Sequence, residues 1–128
     1  MLAVHRNIRH EINRLPAVRF ATRVEIYRRL HRAKDFIDAC CNQTLTLSQM
    51  AEQAFLSSYH FLRLFKEVFR ETPYQYLTRQ RLNRAKELVL KTDKSITQIC
   101  YDVGFESLGS FSWLFRKHFK IPPSKLRS

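Results

Sequence analysis

The amino-acid sequence predicts an all-α fold of seven helices, arranged as two helix-turn-helix units joined by a long central helix. Apolar residues recur at three- and four-residue steps along most of the chain, which is the period of an amphipathic helix. The 128 residues include only two glycines and four prolines, so helices with short joints are expected. A short capped helix, a turn and an aromatic-rich helix occur twice, about 50 residues apart.

The first segment, residues 1–29, is predicted to be a basic arm or linker in front of a domain of residues 30–128. Residues 1–34 carry nine arginines and lysines against two glutamates. Pro16 is expected to break any helix that begins before it. From about Thr22 to Cys41 the apolar side chains return with helical spacing and predict the first long helix.

Two copies of one hexapeptide, Thr46–Ala51 and Ser95–Cys100, lie 49 residues apart. In each copy a hydroxyl residue is followed three positions later by glutamine, which is the pattern of a capping box at a helix start. The two pairs are Thr46 with Gln49 and Ser95 with Gln98. Each copy therefore predicts a short helix.

A turn and then a second, aromatic helix follow each of these short helices. The turns are residues 54–57 and 104–107, and the aromatic helices include residues 59–66 and 109–116. Here the copies are 50 residues apart, so the second turn is one residue longer. The first unit is expected at about 30–71, the connecting helix at about 72–91 and the second unit at about 95–128.

Each aromatic helix has one apolar side and one polar, basic side when residues are placed 100° apart. The expected packing side comprises Phe61, Leu64, Phe65 and Val68 in the first copy, and Phe111, Leu114, Phe115 and His118 in the second. Trp113 falls nearly opposite the packing side. In helix-turn-helix proteins the second helix of the unit enters the major groove of DNA.

The net charge of +12 and the pI near 10.2 favour a polyanionic partner. No apolar run approaches the roughly 18 residues that span a membrane, so double-stranded DNA in the cytoplasm is expected rather than a membrane. Cysteine and histidine spacings fit neither disulfides nor a metal site, and two glycines cannot build a nucleotide-phosphate loop. No cofactor, metal or catalytic residue is therefore predicted.

Candidate DNA contacts follow from the outer sides of the two aromatic helices. Arg63 can donate two parallel hydrogen bonds to guanine, worth roughly 1–3 kcal/mol of base discrimination, and Trp113 has no packing reason to be exposed. The alternatives are a solvated arginine and an indole tucked against a neighbouring helix. Phosphate contacts are predicted for Ser57, Ser58, Lys66, Arg70, Ser107, Arg116, Lys117 and Lys120.

The chain resembles the DNA-binding domain of the AraC/XylS family of bacterial transcription regulators over about residues 30–127. The segments that carry the resemblance are Leu47–Ala51, Leu56-Ser57 with Phe61–Lys66, Pro73–Leu77 with Arg81, Leu82 and Ala85, Ile96–Phe105, Phe111–Lys117, and Pro122-Pro123. The resemblance implies seven helices in two homeodomain-like subdomains, with the third and sixth helices in successive major-groove segments. It assigns base reading to Tyr59, Leu62, Arg63, Gly109, Ser110 and Trp113.

The sequence departs from the family pattern at two positions. Phe55 stands where the first turn commonly has glycine, and Trp113 stands where the second reading helix often has arginine. Leu62 and Gly109 carry no hydrogen-bonding side chain, which limits direct readout there to apolar contact. The resemblance also implies a sensor or dimerisation domain before the arginine-rich segment, although a few members of that family act as lone DNA-binding domains. RNA polymerase is expected as a partner, since its recruitment or exclusion would follow from the position of the DNA site.

Two other functions share some of these features. An accessory DNA-binding part of an alkylation-repair protein would need a reactive thiolate, and Cys100 occupies a small position expected to be buried. A nonspecific architectural protein would share the basic charge but would not need two differently decorated outer faces. Sequence-specific DNA binding by a non-enzymatic transcription regulator is therefore the predicted function.

Overall fold

The computed structural model describes residues 2–15 and 20–127, and all the regular secondary structure in these ranges is α-helical. The eight helices are α1 (Leu2–Asn13), α2 (Phe20–Cys40), α3 (Leu47–Gln53), α4 (Ser58–Phe69), α5 (Pro73–Lys91), α6 (Ile96–Asp102), α7 (Leu108–Phe119) and α8 (Pro123–Arg127). None of the described helices is both long and apolar enough to cross a membrane. The all-α fold class is confirmed.

The seven predicted helices correspond to α2–α8, and α1 is additional. It lies in the segment expected to be an arm or linker, and its C-terminal end is packed rather than solvated, because Ile12 and Leu15 are only 7% and 3% exposed. The predicted helix break at Pro16 lies outside the described residues. α1 ends at Asn13 and α2 begins at Phe20.

The chain divides into two compact units. The first contains α1–α4 and the first turn of α5, through Tyr76. The second contains residues 40–44, the rest of α5 and α6–α8. Each unit has its own buried aromatic pair on one helix, Phe61 with Phe65 in α4 and Phe111 with Phe115 in α7. These pairs anchor α4 and α7, whose opposite sides are exposed.

The core of each unit is built from the same apolar positions of three successive helices. In the first unit the fully buried side chains include Leu30, Ala33, Ile37, Met50, Ala51, Phe61, Phe65 and Val68. In the second unit the core comprises Leu82, Ala85, Val89, Ile99, Cys100, Val103, Phe105, Phe111 and Phe115. Burying a side chain of this size contributes about 1.5–3 kcal/mol, so the two cores account for most of the driving force for folding.

The duplication extends to α2 and α5, the helices before the paired ones, which the hexapeptide comparison had missed. Residues 29–37 (RLHRAKDFI) and 81–89 (RLNRAKELV) align without gaps. The aligned lysines make the same contact: Lys34 Nζ lies 4.3 Å from the ring centre of Phe69, and Lys86 Nζ lies 5.0 Å from that of Phe119. The repeating unit is therefore three helices long, not two.

The helix starts follow the predicted caps, with one correction. Thr46 and Gln49 form a complete capping box. At the second copy the Ser95 hydroxyl accepts from the backbone N–H of Gln98, but the Gln98 amide donates to the Asp102 carboxylate at 2.7 Å instead of closing the box. The prediction of a second capping box was therefore wrong, because the Asp102 carboxylate competes for the Gln98 side chain. The first unit has Gln53 at the matching position, which offers no such carboxylate, and there the box is complete.

Lys94 also binds Asp102, at 3.0 Å. The hydrogen bonds from Lys94 and Gln98 hold the pKa of the Asp102 carboxyl below its usual value. Asp102 therefore stays ionised and holds the Gln98 amide, which then does not bond to the backbone of Ser95.

The turns between the paired helices place Phe55 and Gly104 at matching positions, and both have positive φ. Gly104 adopts φ 108° without a steric penalty, whereas Phe55 adopts φ 56° with its ring 69% exposed. A left-handed conformation costs a residue with a Cβ roughly 1–2 kcal/mol. The first turn therefore has a positive-φ residue at the same position as the second turn, but it carries backbone strain there.

Replacing Phe55 by glycine should stabilise the protein by about 0.5–1 kcal/mol, because relief of the left-handed strain exceeds the extra entropy of the unfolded chain. The ring buries little surface, and its contact with the Arg32 guanidinium, 5.8 Å from the ring centre, is exposed. Urea unfolding measures the change. Phe55→Ala is the matched control, since it removes the ring but keeps the Cβ and should give no gain.

Tyr27 on α2 ties the end of α1 to the rest of the first unit. Its phenol lies beside the Glu11 carboxylate, and its ring centre lies 6.2 Å from that of Phe69. Burial first, and then the charge and hydrogen bond of Glu11, raise the pKa of Tyr27 to about 12. Since the phenol ionises near 10 in the unfolded chain, the stability it contributes is full below pH 10 and is lost as the pH rises from 10 towards 12.

Tyr27→Phe should therefore make the free energy of unfolding fall less steeply between pH 10 and 12 than it does in the wild type. Glu11→Gln should lower the pKa of Tyr27, because it removes the neighbouring negative charge. A difference absorbance titration against Tyr27→Phe isolates this tyrosine from the other four. An unchanged titration in Glu11→Gln would show that the two side chains do not interact in solution.

Candidate nucleic-acid interface

The outer face of α4 carries three of the predicted base-reading side chains, Tyr59, Leu62 and Arg63, together with Lys66. They share one side of the helix because they are spaced at three- and four-residue steps. All four are exposed, Tyr59 by 69%, while Phe61, Phe65 and Val68 on the opposite side are buried. In the part of the chain that the structure describes, Arg63 has no hydrogen-bond or ion-pair partner, so its donors are free for a ligand.

The start of α4 is capped by Ser57. Its Oγ accepts from the backbone N–H of His60 at 3.2 Å and lies 2.8 Å from Nδ1 of the same histidine. Ser57 is exposed and Ser58, the first helical residue, is half-buried. This end of the helix presents free N–H groups and the positive end of its dipole, which suit a phosphate oxygen.

The outer face of α7 carries Gly109, Ser110 and Trp113, and all three are exposed. The indole of Trp113 is 61% exposed, so the alternative of a ring tucked against a neighbouring helix does not hold in this fold. A Cβ added at Gly109 would meet only Ser107 Oγ, at 3.7 Å, so the absence of a side chain there is not required by packing. Ser107 caps this helix by accepting from the Ser110 N–H at 3.3 Å.

A cluster of cations surrounds the indole. Lys117 Nζ lies 4.8 Å from the centre of the Trp113 ring, and a surface depression of about 490 Å³ is lined by Trp113, Arg116, Lys117 and Lys120. A concave surface with one aromatic face and three positive charges can bind sugar and phosphate together. The structure thus brings three of the four predicted phosphate-binding residues of the second unit, Arg116, Lys117 and Lys120, into one place.

The last predicted phosphate contacts, Arg70 and Lys120, also end the helices. Both adopt a left-handed conformation, φ 63° and 66°, and donate their backbone N–H groups to Lys66 O and Arg116 O. Their side chains are exposed. The wheel prediction was wrong for His118, which is exposed next to these caps, because Phe119 takes the partly buried position instead.

Three arginines have structural partners that sequence reasoning missed. Arg81 donates to Cys41 O at 2.7 Å and Gln43 O at 2.8 Å. Arg14 donates to Val68 O, and Arg127 donates to Val89 O, Thr92 O and Lys94 O. Each satisfies carbonyl oxygens at or beyond a helix end. The aligned RLxRAK segments could have directed attention to Arg81, but no local pattern indicates the other two.

The fold and the two exposed faces define the class of this protein as a double helix-turn-helix DNA-binding domain. A family model described as a helix-turn-helix domain matches residues 50–128. The solved structure of an AraC-type transcriptional regulator from Chromobacterium violaceum has 35% sequence identity and a TM-score of 0.72, over 77% of this chain and 88% of that one. The chain belongs to the AraC family of helix-turn-helix transcriptional regulators.

Two curated relatives agree with this assignment. The probable transcriptional regulator LumQ of Photobacterium leiognathi is 32% identical over 91 residues, which are 71% of this chain and 37% of the relative. The transcriptional regulator ArgR of Pseudomonas aeruginosa is 33% identical over 100 residues, which are 78% of this chain and 30% of the relative. The chain therefore spans about a third of the length of the curated relatives it matches.

Proposed function

We propose that this chain binds double-stranded DNA sequence-specifically, with α4 and α7 as its reading helices in the major groove, and regulates bacterial transcription. The observation that carries the proposal is that both helices bury their aromatic side and expose a basic side whose reading residues differ. A protein that only coats DNA needs the charge but not two dissimilar reading surfaces.

The roles of individual residues form part of the proposal. Tyr59, Leu62 and Arg63 read bases in one half of the site, and Gly109, Ser110 and Trp113 read the other half. The remaining contacts go to phosphates, which add affinity and salt dependence but little sequence information. The side chains proposed for phosphate are Ser57, Ser58, Lys66, Arg70, Ser107, Arg116, Lys117 and Lys120.

The partners and location follow from the same proposal. A regulator acts on transcription through RNA polymerase, which we propose as the second partner, at the nucleoid in the cytoplasm. The curated relatives are about three times as long as the matched segment, which leaves room for a sensor or dimerisation domain before it. Residues 1–29 would then link that domain to the reading units.

A catalytic role is not proposed. The relatives named above are transcriptional regulators, and burial raises the pKa of the Cys100 thiol, which disfavours the thiolate that alkyl transfer requires. If the chain were an accessory part of an alkylation-repair protein, the reactive cysteine would have to lie in another domain.

Selection from a random duplex library tests the proposal directly. The selected site and a scrambled control are then titrated across a salt series. We expect one enriched sequence with two separated halves, bound at least about a thousandfold more tightly than the control. Steeply salt-dependent binding without enrichment would show an architectural protein instead.

A further inference from the structure

The end of α4 has a partner outside the helix-turn-helix unit. The last carbonyl groups of a helix lack intrahelical partners. The Arg70 N–H satisfies Lys66 O, and the Arg14 guanidinium donates to Val68 O at 2.9 Å, from 54 residues earlier in the chain. A charged donor makes such a bond stronger than a neutral one.

Arg14 is held where it can make this bond. It follows α1, which packs against α4, and it lies between the buried side chains of Ile12 and Leu15. Tyr27 of α2 lies close enough to Glu11 for that carboxylate to raise the pKa of the phenol, so the same end of α1 also adjoins α2. The guanidinium therefore has little freedom to leave α4, unlike an arginine on a solvated arm.

The segment that carries Arg14 has no counterpart directly in front of α5. In the duplicated architecture α5 is the counterpart of α2, and α5 follows α4 directly, whereas α2 follows α1. The segment also precedes residues 50–128, where the family model matches. The segment contacts α4, the helix that carries Arg63, and Arg63 lies about one and a half turns before Val68.

We propose that Arg14 is a positioning residue for DNA recognition: by holding the last turn of α4, it sets how well the first reading helix engages its half of the site. This proposal rests on the proposed function. Arg14 itself touches no base, and its effect reaches the DNA only through α4. Losing it lets the C-terminal turn of α4 fray and loosens the side chains of the outer face.

Arg14→Ala and Arg9→Ala together test the proposal. Both remove one positive charge from the same segment, but Arg9 is exposed on α1 and leaves the bond to Val68 intact. Hydrogen exchange of the free protein is measured first, at a temperature at which both variants are fully folded. We expect exchange at residues 66–70 to rise about 5- to 10-fold in Arg14→Ala alone, with residues 116–120 of α7 unchanged as an internal reference.

Affinity is then measured for the selected site and for a site whose first half is scrambled. Arg14→Ala should weaken binding to the selected site about 3- to 10-fold and have almost no effect on the scrambled site. Arg9→Ala should weaken both sites equally, if at all. Unchanged exchange at residues 66–70, or an equal loss on both sites, would overturn the proposal.

The two proposals fail in different ways. If the wild type selects no sequence, the proposed function is wrong, and positioning for DNA recognition falls with it. The exchange experiment needs no DNA, so it still decides whether Arg14 holds the end of α4. If the wild type selects a site and the loss in Arg14→Ala does not depend on its first half, only the positioning role is wrong.

Discussion

Gly104→Ala is expected to lower the free energy of unfolding by about 2–4 kcal/mol, a large fraction of the stability of a small domain. Gly104 has φ 108°, which a residue with a Cβ rarely adopts. An added Cβ would also lie 2.8 Å from Cys41 O and 2.7 Å from Arg81 Nε. The guanidinium cannot move away cheaply, because it donates to Cys41 O and Gln43 O.

Gly109→Ala is the matched control for this loss. Its new Cβ would meet only Ser107 Oγ at 3.7 Å, so this variant should unfold at the same urea concentration as the wild type or slightly higher. Gly104→Ala in an Arg81→Ala background then separates the causes. If the collision with Arg81 dominates, the loss shrinks there; if the backbone conformation or Cys41 O dominates, it remains. A loss below about 1 kcal/mol in the single variant would contradict the strain argument.

Local signals were sufficient to predict most of the helical framework. Thr46 and Ser95 cap the starts of α3 and α6, because a hydroxyl there accepts from a backbone N–H three residues later, so the pattern is readable in a short window. The 49- and 50-residue offsets gave the longer second turn, and α3, α6, α4 and α7 begin at those offsets. Phe55 was recognised as a departure from glycine, and the structure gives it the positive φ that a glycine would accept.

The features that were missed depend on contacts between distant residues. Arg14, Arg81 and Arg127 bind carbonyl groups 33–54 residues away, and in the sequence they look like any solvated arginine. Ile12 and Leu15 are buried where the end of α1 packs against α4, and local periodicity does not reveal that contact. The Gln98 side chain bonds to Asp102, four residues later, instead of to the backbone at the cap. The capping pattern alone does not include such a competing partner.

The candidate site was predictable in position but its chemistry was less so. The helical wheel placed Arg63 and Trp113 opposite the core, and both are exposed there. It did not show that Lys117 lies over the indole, since that contact depends on side-chain rotamers. Base contacts are properties of a complex, so the reading roles remain predictions that depend on DNA.

Arg63→Ala is expected to reduce affinity for the selected site by roughly 10- to 100-fold, equivalent to about 1–3 kcal/mol, and to relax the preference at one base pair. The guanidinium is exposed and unpartnered among the described residues, so the substitution should leave stability nearly unchanged. The loss should disappear on a site in which the base pair that Arg63 reads is already changed. Competitive binding against single-base variants of the site measures both effects.

Lys66→Ala is the control that separates base reading from charge. It lies on the same face of α4 and removes the same charge, but a phosphate contact should weaken all sites alike and reduce the salt slope by about one. Trp113→Ala should relax the base preference in the half of the site that α7 reads, as Arg63→Ala relaxes it in the half that α4 reads. If Arg63→Ala instead weakened every sequence equally, its guanidinium would be a phosphate contact, and base reading in the first half would have to come from Tyr59 and Leu62 or from DNA shape.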